Sequence, residues 1–205
     1  ILFNPHPMYE NYGDALTKKE AKQKLGLDEN TSYVLFFGFI RKYKGLDTLL
    51  KVFADQRIKD RGIKLIIAGE YYENPSTYEK IICDLGLEDS IVRANHYIKD
   101  TSVSLYFNAV DIVAQTYKTA TQSGVTQIAY YYHTPMLVSD VGGLAELVPH
   151  QKVGYVTSQE PRAIADCLID FYENNREDTF VKNIKTERLQ FTWDRMIKTI
   201  FSTID

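Results

Sequence analysis

Cysteine is scarce in this sequence, which contains only Cys83 and Cys167 among its 205 residues. The two lie far apart in the chain, and neither belongs to a CxxC pair or has histidines at a metal-binding spacing. The sequence therefore predicts neither a disulfide framework nor a zinc site, and no other metal site is expected. So few cysteines are typical of a protein in a reducing, cytoplasmic environment.

An excess of positive charge is also missing, because 24 Lys and Arg face 27 Asp and Glu, for a formal net charge of -3. This balance argues against nucleic acid as a partner, although it leaves room for a local basic site. No apolar run is long enough to span a bilayer, and the first residues do not resemble a signal peptide. The fingerprint GxGxxG is absent as well, which weighs against a nicotinamide-dependent oxidoreductase.

The sequence does contain enough apolar material for one domain. With 44% hydrophobic residues over 205 positions, the chain can bury a single substantial core. It does not begin with methionine, and Asn4-Pro5 and His6-Pro7 favour an extended start. We therefore expect a fragment, with residues 1–15 as an interdomain connector and residues 16–190 as one domain.

Apolar runs of strand length alternate with helical stripes through this domain. A helix is predicted after Thr17, whose spacing to Glu20 is that of a capping box. The run YVLFF at 33–37 is apolar throughout, as in a strand buried on both faces of a sheet. Further strands are predicted at 64–68, 91–92, 111–114, 136–138 and 154–156. The alternation predicts an α/β fold, a Rossmann-like three-layer domain with a parallel sheet of about six strands.

The end of the sequence is predicted to form an amphipathic helix within residues 191–205. A basic stretch precedes it, after a late helix that ends near Phe171. The predicted helix has more large apolar side chains than a solvated tail needs. These side chains are Phe191, Trp193, Met196, Ile197 and Phe201.

The loop after the first strand, GFIRKYKG from Gly38 to Gly45, is the first candidate for ligand binding. It places Arg41, Lys42 and Lys44 within four positions at the carboxyl end of a strand, where doubly wound sheets bind their ligands. A guanidinium offers forked donors and an ammonium a point charge, so the loop suits a diphosphate. The alternative is a solvated basic turn.

The second candidate is YKTATQSG, from Tyr117 to Gly124, which opens a helix near Ser123. Small hydroxyl side chains and a glycine at a helix N-terminus leave backbone N–H groups free to bind an anion. Ordinary capping by Thr121 or Ser123 explains the same residues. A third loop, DVGGL at 140–144, contains paired glycines, which permit either a close approach to a ligand or a sharp turn.

Taken in order, GFIRKYKGLDTLLKVF, KLIIAGE and NAVDIVAQTYKTATQSGVTQIAYYYHTPMLVSDVGGLAELV resemble the C-terminal, donor-binding domain of family 4 glycosyltransferases, the retaining enzymes with the GT-B fold. The resemblance implies that Lys44 binds the diphosphate of a nucleotide-sugar. It also implies that the backbone amides of the loop around Ser123 contact phosphate and sugar. The family usually has an arginine where Phe39 stands, and Arg41 is our candidate substitute.

The sequence departs from the family at a pair of glutamates, one near the donor sugar and one on the ribose. Counting back from Pro135 puts this pair at Ala120 and Ile128, while counting from Gly124 puts it at Thr121 and Ala129. No Asp or Glu occurs between Asp111 and Asp140, so the pair is missing in either register. A divergent branch would use hydroxyl and amide groups instead, such as Thr119, Thr121, Gln122 and Gln127.

The resemblance implies transfer of a hexosyl group from a UDP- or GDP-sugar to a saccharide or lipid-linked acceptor, without a cofactor. The acceptor would bind to a missing N-terminal domain, toward which the terminal helix would pack, and the fragment alone would be inactive. The full-length protein would lie peripherally at the inner membrane face. The alternative is a non-catalytic nucleotide-sugar-binding or partner-binding module. No catalytic residue is assigned, and the predicted donor site comprises Arg41, Lys44, Thr119, Thr121, Gln122, Ser123, Gly124 and Val125.

Overall fold

The computed structural model describes residues 6–9 and 12–202 and contains one six-stranded sheet. Every pair of neighbouring strands is parallel, and the order is β3-β2-β1-β4-β5-β6. The strands are β1 (Tyr33–Phe37), β2 (Lys64–Ala68), β3 (Ile91–Ala94), β4 (Ile112–Gln115), β5 (Met136–Ser139) and β6 (Gly154–Thr157). The chain order reverses direction between β1 and β4, which pair through Val34–Ile112 and Leu35–Val113.

Helices cover both faces of the sheet, and alternate side chains of each strand therefore point into two separate cores. In β1, Leu35 belongs to one core and Val34 and Phe36 to the other. The α-helices are α1 (Lys18–Lys24), α2 (Leu46–Phe53), α3 (Gln56–Lys59), α4 (Ser76–Asp84), α5 (Asp100–Ala109), α6 (Gly124–Tyr132), α7 (Leu144–Leu147), α8 (Pro161–Glu173), α9 (Arg176–Glu187) and α10 (Trp193–Phe201). The predicted three-layer α/β fold and its six parallel strands are confirmed.

Local chemistry explains where α1 begins and how it is attached to the sheet. Thr17 caps the helix, and its side chain and that of Glu20 form the predicted capping box. The Lys18 ammonium then binds two carboxylates, Asp111 at 2.6 Å and Glu177. Because Asp111 also accepts a hydrogen bond of 2.8 Å from the backbone N–H of Tyr33, one acid joins α1, β1 and the start of β4.

The sequence predicted no helix between α8 and the terminal helix, only a basic stretch. This stretch folds as α9 and a short 3-10 turn, Arg188–Phe191. Only Phe180 and Ile184 of α9 are buried. Two buried positions in twelve residues are too few to give the apolar periodicity that marked the other helices. A backbone turn of Asn175 with φ of 48° separates α9 from α8.

The terminal helix begins at Trp193, and none of its residues is buried. Trp193 is 48% exposed and Phe201 is 65% exposed. Phe191 differs from them: it lies in the preceding turn, is buried, and packs against Tyr130 with ring centroids 4.5 Å apart. Residues 203–205 of the predicted helix, and residues 1–5, 10 and 11 of the predicted connector, lie outside the described residues.

None of the helices in residues 6–9 and 12–202 combines the length and the apolar character that crossing a membrane requires.

Candidate donor site

The candidate site lies at the carboxyl ends of β1, β4 and β5. Its three loops comprise residues 38–45, 116–123 and 140–143. The first two loops are neighbours because β1 and β4 pair directly, and this is the place where the strand order reverses. Ligands of open α/β sheets bind at such a reversal.

The first loop is held close to the second by a glycine. Residues Lys42–Lys44 form a 3-10 turn that ends at Gly45, whose φ is 70°. A Cβ on Gly45 would lie 1.9 Å from the carbonyl oxygen of Thr116. The hydroxyl of Thr116 donates a hydrogen bond of 2.9 Å to the carbonyl of Gly45. The Lys-Gly pair predicted from the sequence is therefore the point at which the two loops touch.

Lys44 is buried, with 8% of its surface exposed, and its ammonium has no carboxylate partner. Within the described residues, its Nζ makes neither a hydrogen bond nor an ion pair, and it lies 5.7 Å from the centre of the Tyr117 ring. Burial, together with the nearby Arg41 guanidinium, lowers the pKa of Lys44 to about 8. A buried ammonium without an anion is costly, so this position favours a negatively charged ligand.

Arg41 lies beside Lys44 and is held by an aromatic ring. Its guanidinium lies 4.1 Å from the centre of the Tyr72 ring, and its Nε is buried without a hydrogen-bond partner among the described residues. Lys42, in contrast, is exposed. The structure thus brings Arg41 and Lys44 together and leaves Lys42 facing solvent.

The second loop presents backbone N–H groups at the start of α6. Ser123 caps this helix, and its Oγ accepts a hydrogen bond of 3.2 Å from the N–H of Val125. The amides of residues 121–124 donate to no other part of the described chain. Capping by Ser123 and free amides therefore coexist, because the cap satisfies only one of the unpaired donors of the first turn.

The remaining predicted residues of this loop differ in exposure. Thr119, Thr121 and Gln122 are exposed, and the hydroxyl of Ser123 is within 3.3 Å of the Tyr117 hydroxyl. Gln127 is buried within α6, and its Oε1 has no hydrogen-bond partner among the described residues.

The third loop packs against the backbone of the second loop. Gly142 has φ of 49°, and a Cβ there would lie 1.7 Å from the carbonyl oxygen of Ala120. The N–H of Gly143 donates a hydrogen bond of 3.1 Å to the carbonyl of Thr121. The paired glycines thus allow the backbones of the second and third loops to touch. This contact explains the glycines without a ligand.

A cleft of about 200 Å³ opens next to the first loop, and sequence reasoning did not predict it. Gly38, Phe39, Glu70, Tyr97 and Ile128 are among the residues that line it. The cleft depends on β2 lying between β1 and β3, an order that apolar runs alone do not reveal. The signal that was available in the sequence is the position of Glu70, two residues after the end of the second strand.

No cluster of three or more His, Cys, Asp or Glu side chains suited to a metal ion occurs in residues 6–9 and 12–202.

The chain is similar in sequence and in fold to known glycosyl transferases. A family model described as Glycosyl transferases group 1 matches residues 17–187 of the chain. A D-inositol 3-phosphate glycosyltransferase of Corynebacterium aurimucosum is 28% identical over 193 residues, which cover 91% of this chain and 45% of that protein. The chain spans less than half the length of the curated relatives that it matches.

Two solved structures share the fold. The C-terminal domain of LpcC, a glycosyl transferase group 1 family protein of Francisella tularensis, superposes with a TM-score of 0.73 at 15% identity. That match covers 86% of this chain and 93% of the LpcC domain. HepE of Anabaena, in complex with UDP-glucose, superposes with a TM-score of 0.75 at 21% identity over 91% of this chain and 52% of HepE.

Proposed function

Because the chain belongs to the group 1 glycosyl transferases and has the fold of the C-terminal domain of a GT-B enzyme, we propose that it is the donor-binding half of a hexosyltransferase. The donor is a UDP- or GDP-sugar, and the acceptor is a saccharide or a lipid-linked saccharide. The observation that supports this most strongly is the buried, unpaired ammonium of Lys44, in a loop that touches the loop with the free amides of residues 121–124.

The diphosphate binds between these two groups. Lys44 and Arg41 supply two cations without carboxylate partners, and the amides at the start of α6 supply donors that point along the helix dipole. Each hydrogen bond between a charged group and phosphate is worth about 1.5–3 kcal/mol. The binding of UDP-glucose by HepE supports a uridine nucleotide as the donor.

The same cations contribute to the chemistry. Transfer of the sugar breaks its bond to the diphosphate, and negative charge grows on the departing phosphate oxygen. Donors that are already fixed near this oxygen stabilise that charge more than they stabilise the intact donor. Arg41, held on the Tyr72 ring, and Lys44, held by its buried stem, are both fixed in this way.

The nucleoside occupies the cleft next to Gly38. The exposed rings of Phe39 and Tyr97 lie at the cleft, with centroids 6.4 Å apart. An aromatic ring provides a flat apolar surface on which a nucleobase can stack. In this proposal the phosphate end of the nucleotide lies at Lys44 and the base lies toward Tyr97.

The acceptor binds to an N-terminal domain that this chain does not include, and the chain alone is inactive. The exposed apolar side chains of α10, such as Trp193 and Phe201, support a contact with that domain. Closure of the two domains over the donor excludes water and favours transfer over hydrolysis. Residues 1–15 connect the two domains, and the complete protein works in the cytoplasm, peripherally at the inner membrane face.

A non-catalytic module that binds a nucleotide-sugar is the second candidate. The family's glutamate pair is absent in both registers, at Ala120 and Ile128 or at Thr121 and Ala129, and Ile128 lines the cleft with an apolar side chain. Sugar transfer by the full-length protein would rule this candidate out. Donor binding without turnover would favour it.

A thermal-shift screen of this chain against UDP, GDP, ADP, their sugars and a nicotinamide dinucleotide tests the proposed ligand. A ligand at about one hundred times its Kd stabilises the fold by about 2.7 kcal/mol. We expect UDP or GDP and the corresponding sugars to raise the melting temperature. A shift with the nicotinamide dinucleotide alone would contradict the proposal.

A further inference from the structure

The α6 side of the cleft offers no carboxylate to a bound nucleotide. Ile128 lines the cleft from α6, and the chain has no Asp or Glu between Asp111 and Asp140. The hydroxyl groups of a ribose need hydrogen-bond acceptors when they leave water. A carboxylate acceptor for them must therefore come from another wall of the cleft.

Two carboxylates line the cleft, those of Glu70 and Asp100. Glu70 follows β2, and its side chain makes no hydrogen bond or ion pair with another described residue. Asp100 opens α5 and lies close enough to the Tyr12 hydroxyl to raise its pKa, together with the burial of that hydroxyl. Both acids are thus candidates, and their positions relative to Lys44 distinguish them.

Glu70 lies at the phosphate end of the cleft. The N–H of Ile40 donates a hydrogen bond of 2.8 Å to the carbonyl of Glu70, which fixes its backbone beside the first loop. A Cβ on the preceding residue, Gly69, would lie 2.2 Å from the carbonyl oxygen of Gly38. A Cβ on Gly38 would in turn lie 3.0 Å from the Lys44 ammonium.

These contacts indicate which of the two acids, Glu70 or Asp100, lies beside the ribose. The ribose of a nucleotide is bonded directly to the phosphates, and the base lies beyond it. With the phosphates at Lys44, the ribose falls beside Glu70, and Asp100 falls nearer the base. An acid that follows the second strand of a Rossmann-like sheet is also well placed for ribose hydroxyls.

We infer that the Glu70 carboxylate accepts hydrogen bonds from the ribose hydroxyls of the donor nucleotide, across the cleft from Ile128. This inference rests on the proposed donor function. It makes Glu70 a residue that positions the nucleotide and selects ribose over deoxyribose. Ile128 contributes an apolar contact to the other side of the sugar ring.

Calorimetric titration with UDP and GDP and with their 2′,3′-dideoxy analogues tests the inference. The wild-type chain should bind the ribonucleotide about tenfold or more tightly than its dideoxy analogue, as expected for one hydrogen bond to a charged group. Glu70→Ala should bind both with similar affinity, and Glu70→Gln should show an intermediate preference. Asp100→Asn is the matched control and should keep the wild-type preference.

The outcomes separate this inference from the proposed function. Equal binding of ribonucleotide and dideoxy analogue by the wild type would overturn the role of Glu70 and leave the donor site standing. Glu70→Ala with an undiminished preference would overturn it as well. Failure of the wild type to bind either UDP or GDP would instead refute the donor site itself. Because Glu70 is exposed, melting curves should show that its variants remain folded.

Discussion

The ammonium of Lys118 donates a hydrogen bond of 2.7 Å to the carboxylate of Asp47. Lys118 follows β4 and Asp47 lies in the first turn of α2, so this ion pair joins the two loops that face the proposed diphosphate. Asp47 is the acid nearest in sequence to the basic loop of residues 38–45, and this ion pair occupies one of its carboxylate oxygens. Neither Arg41 nor Lys44 forms an ion pair with a carboxylate of the described residues.

Diphosphate affinity should decrease at alkaline pH. The pKa of Lys44 is lowered to about 8 in the free protein, and a bound anion would raise it. The complex therefore holds a proton that the free protein loses above about pH 8, so binding is strongest below this pH. Titration of UDP or GDP should show affinity falling about tenfold between pH 7 and pH 9. Lys44→Ala should bind weakly with a much flatter profile, and an equally flat profile for the wild type would contradict the role of Lys44.

Replacement of Gly45 by alanine should damage both stability and binding. Gly45 combines a φ of 70° with a carbonyl oxygen in the space of its Cβ. Gly26 is a matched control, since its φ is 65° but nothing lies within 4 Å of its Cβ position. Gly26→Ala should lower the free energy of unfolding by about 1–2 kcal/mol, the cost of left-handed backbone in alanine.

Gly45→Ala should cost clearly more than this and weaken diphosphate binding, because the two loops must move apart. Urea unfolding and titration of both variants measure the difference. Equal losses of stability in Gly45→Ala and Gly26→Ala would show that the contact with Thr116 is unimportant.

Much of the fold was predictable, because strands that are buried on both faces appear in the sequence as continuous apolar runs. In β1, Leu35 packs into one core and Phe36 into the other, so both positions are apolar and the whole run reads as a strand. Helix α9 was not predictable in this way, since it contributes only Phe180 and Ile184 to a core. Its helical form depends on packing against other elements rather than on its own apolar pattern.

The candidate site was predictable where the chemistry lies in one contiguous segment. The Lys44-Gly45 pair and the residues around Ser123 stand out because their charge, glycine and hydroxyl content occur within single loops. The cleft lined by Glu70 and Ile128 was not predictable, because these residues come together only through the order of the strands. Residues that are far apart in the sequence cannot be predicted to lie together when no repeat or motif spacing links them.

Removal of the Asp111 carboxylate should destabilise the fold strongly. This side chain is 10% exposed and accepts hydrogen bonds from Lys18, the Tyr33 N–H and the Tyr172 hydroxyl. Asp111→Ala leaves the Tyr33 N–H and the Tyr172 hydroxyl without this acceptor and leaves Lys18 with Glu177 alone. It should lower the free energy of unfolding by about 3 kcal/mol.

The exposed pair Lys80–Asp84 provides the control for Asp111. Asp84→Ala should change the stability by no more than about 0.5 kcal/mol. Urea unfolding of the two variants gives both values. A loss for Asp111→Ala as small as that for Asp84→Ala would refute the structural role of the Lys18–Asp111 contact.

The donor site is tested most directly by calorimetric titration of the variant Arg41→Ala/Lys44→Ala with a nucleoside diphosphate and with the parent nucleoside. Two lost hydrogen bonds between cations and phosphate imply a fall in diphosphate affinity of about 10² or more, with little change in nucleoside binding. Lys42→Ala, in the same loop but exposed, should bind almost as the wild type does. If the double variant remains folded and binds the diphosphate with unchanged affinity, Arg41 and Lys44 do not bind phosphate and the proposed donor site is wrong.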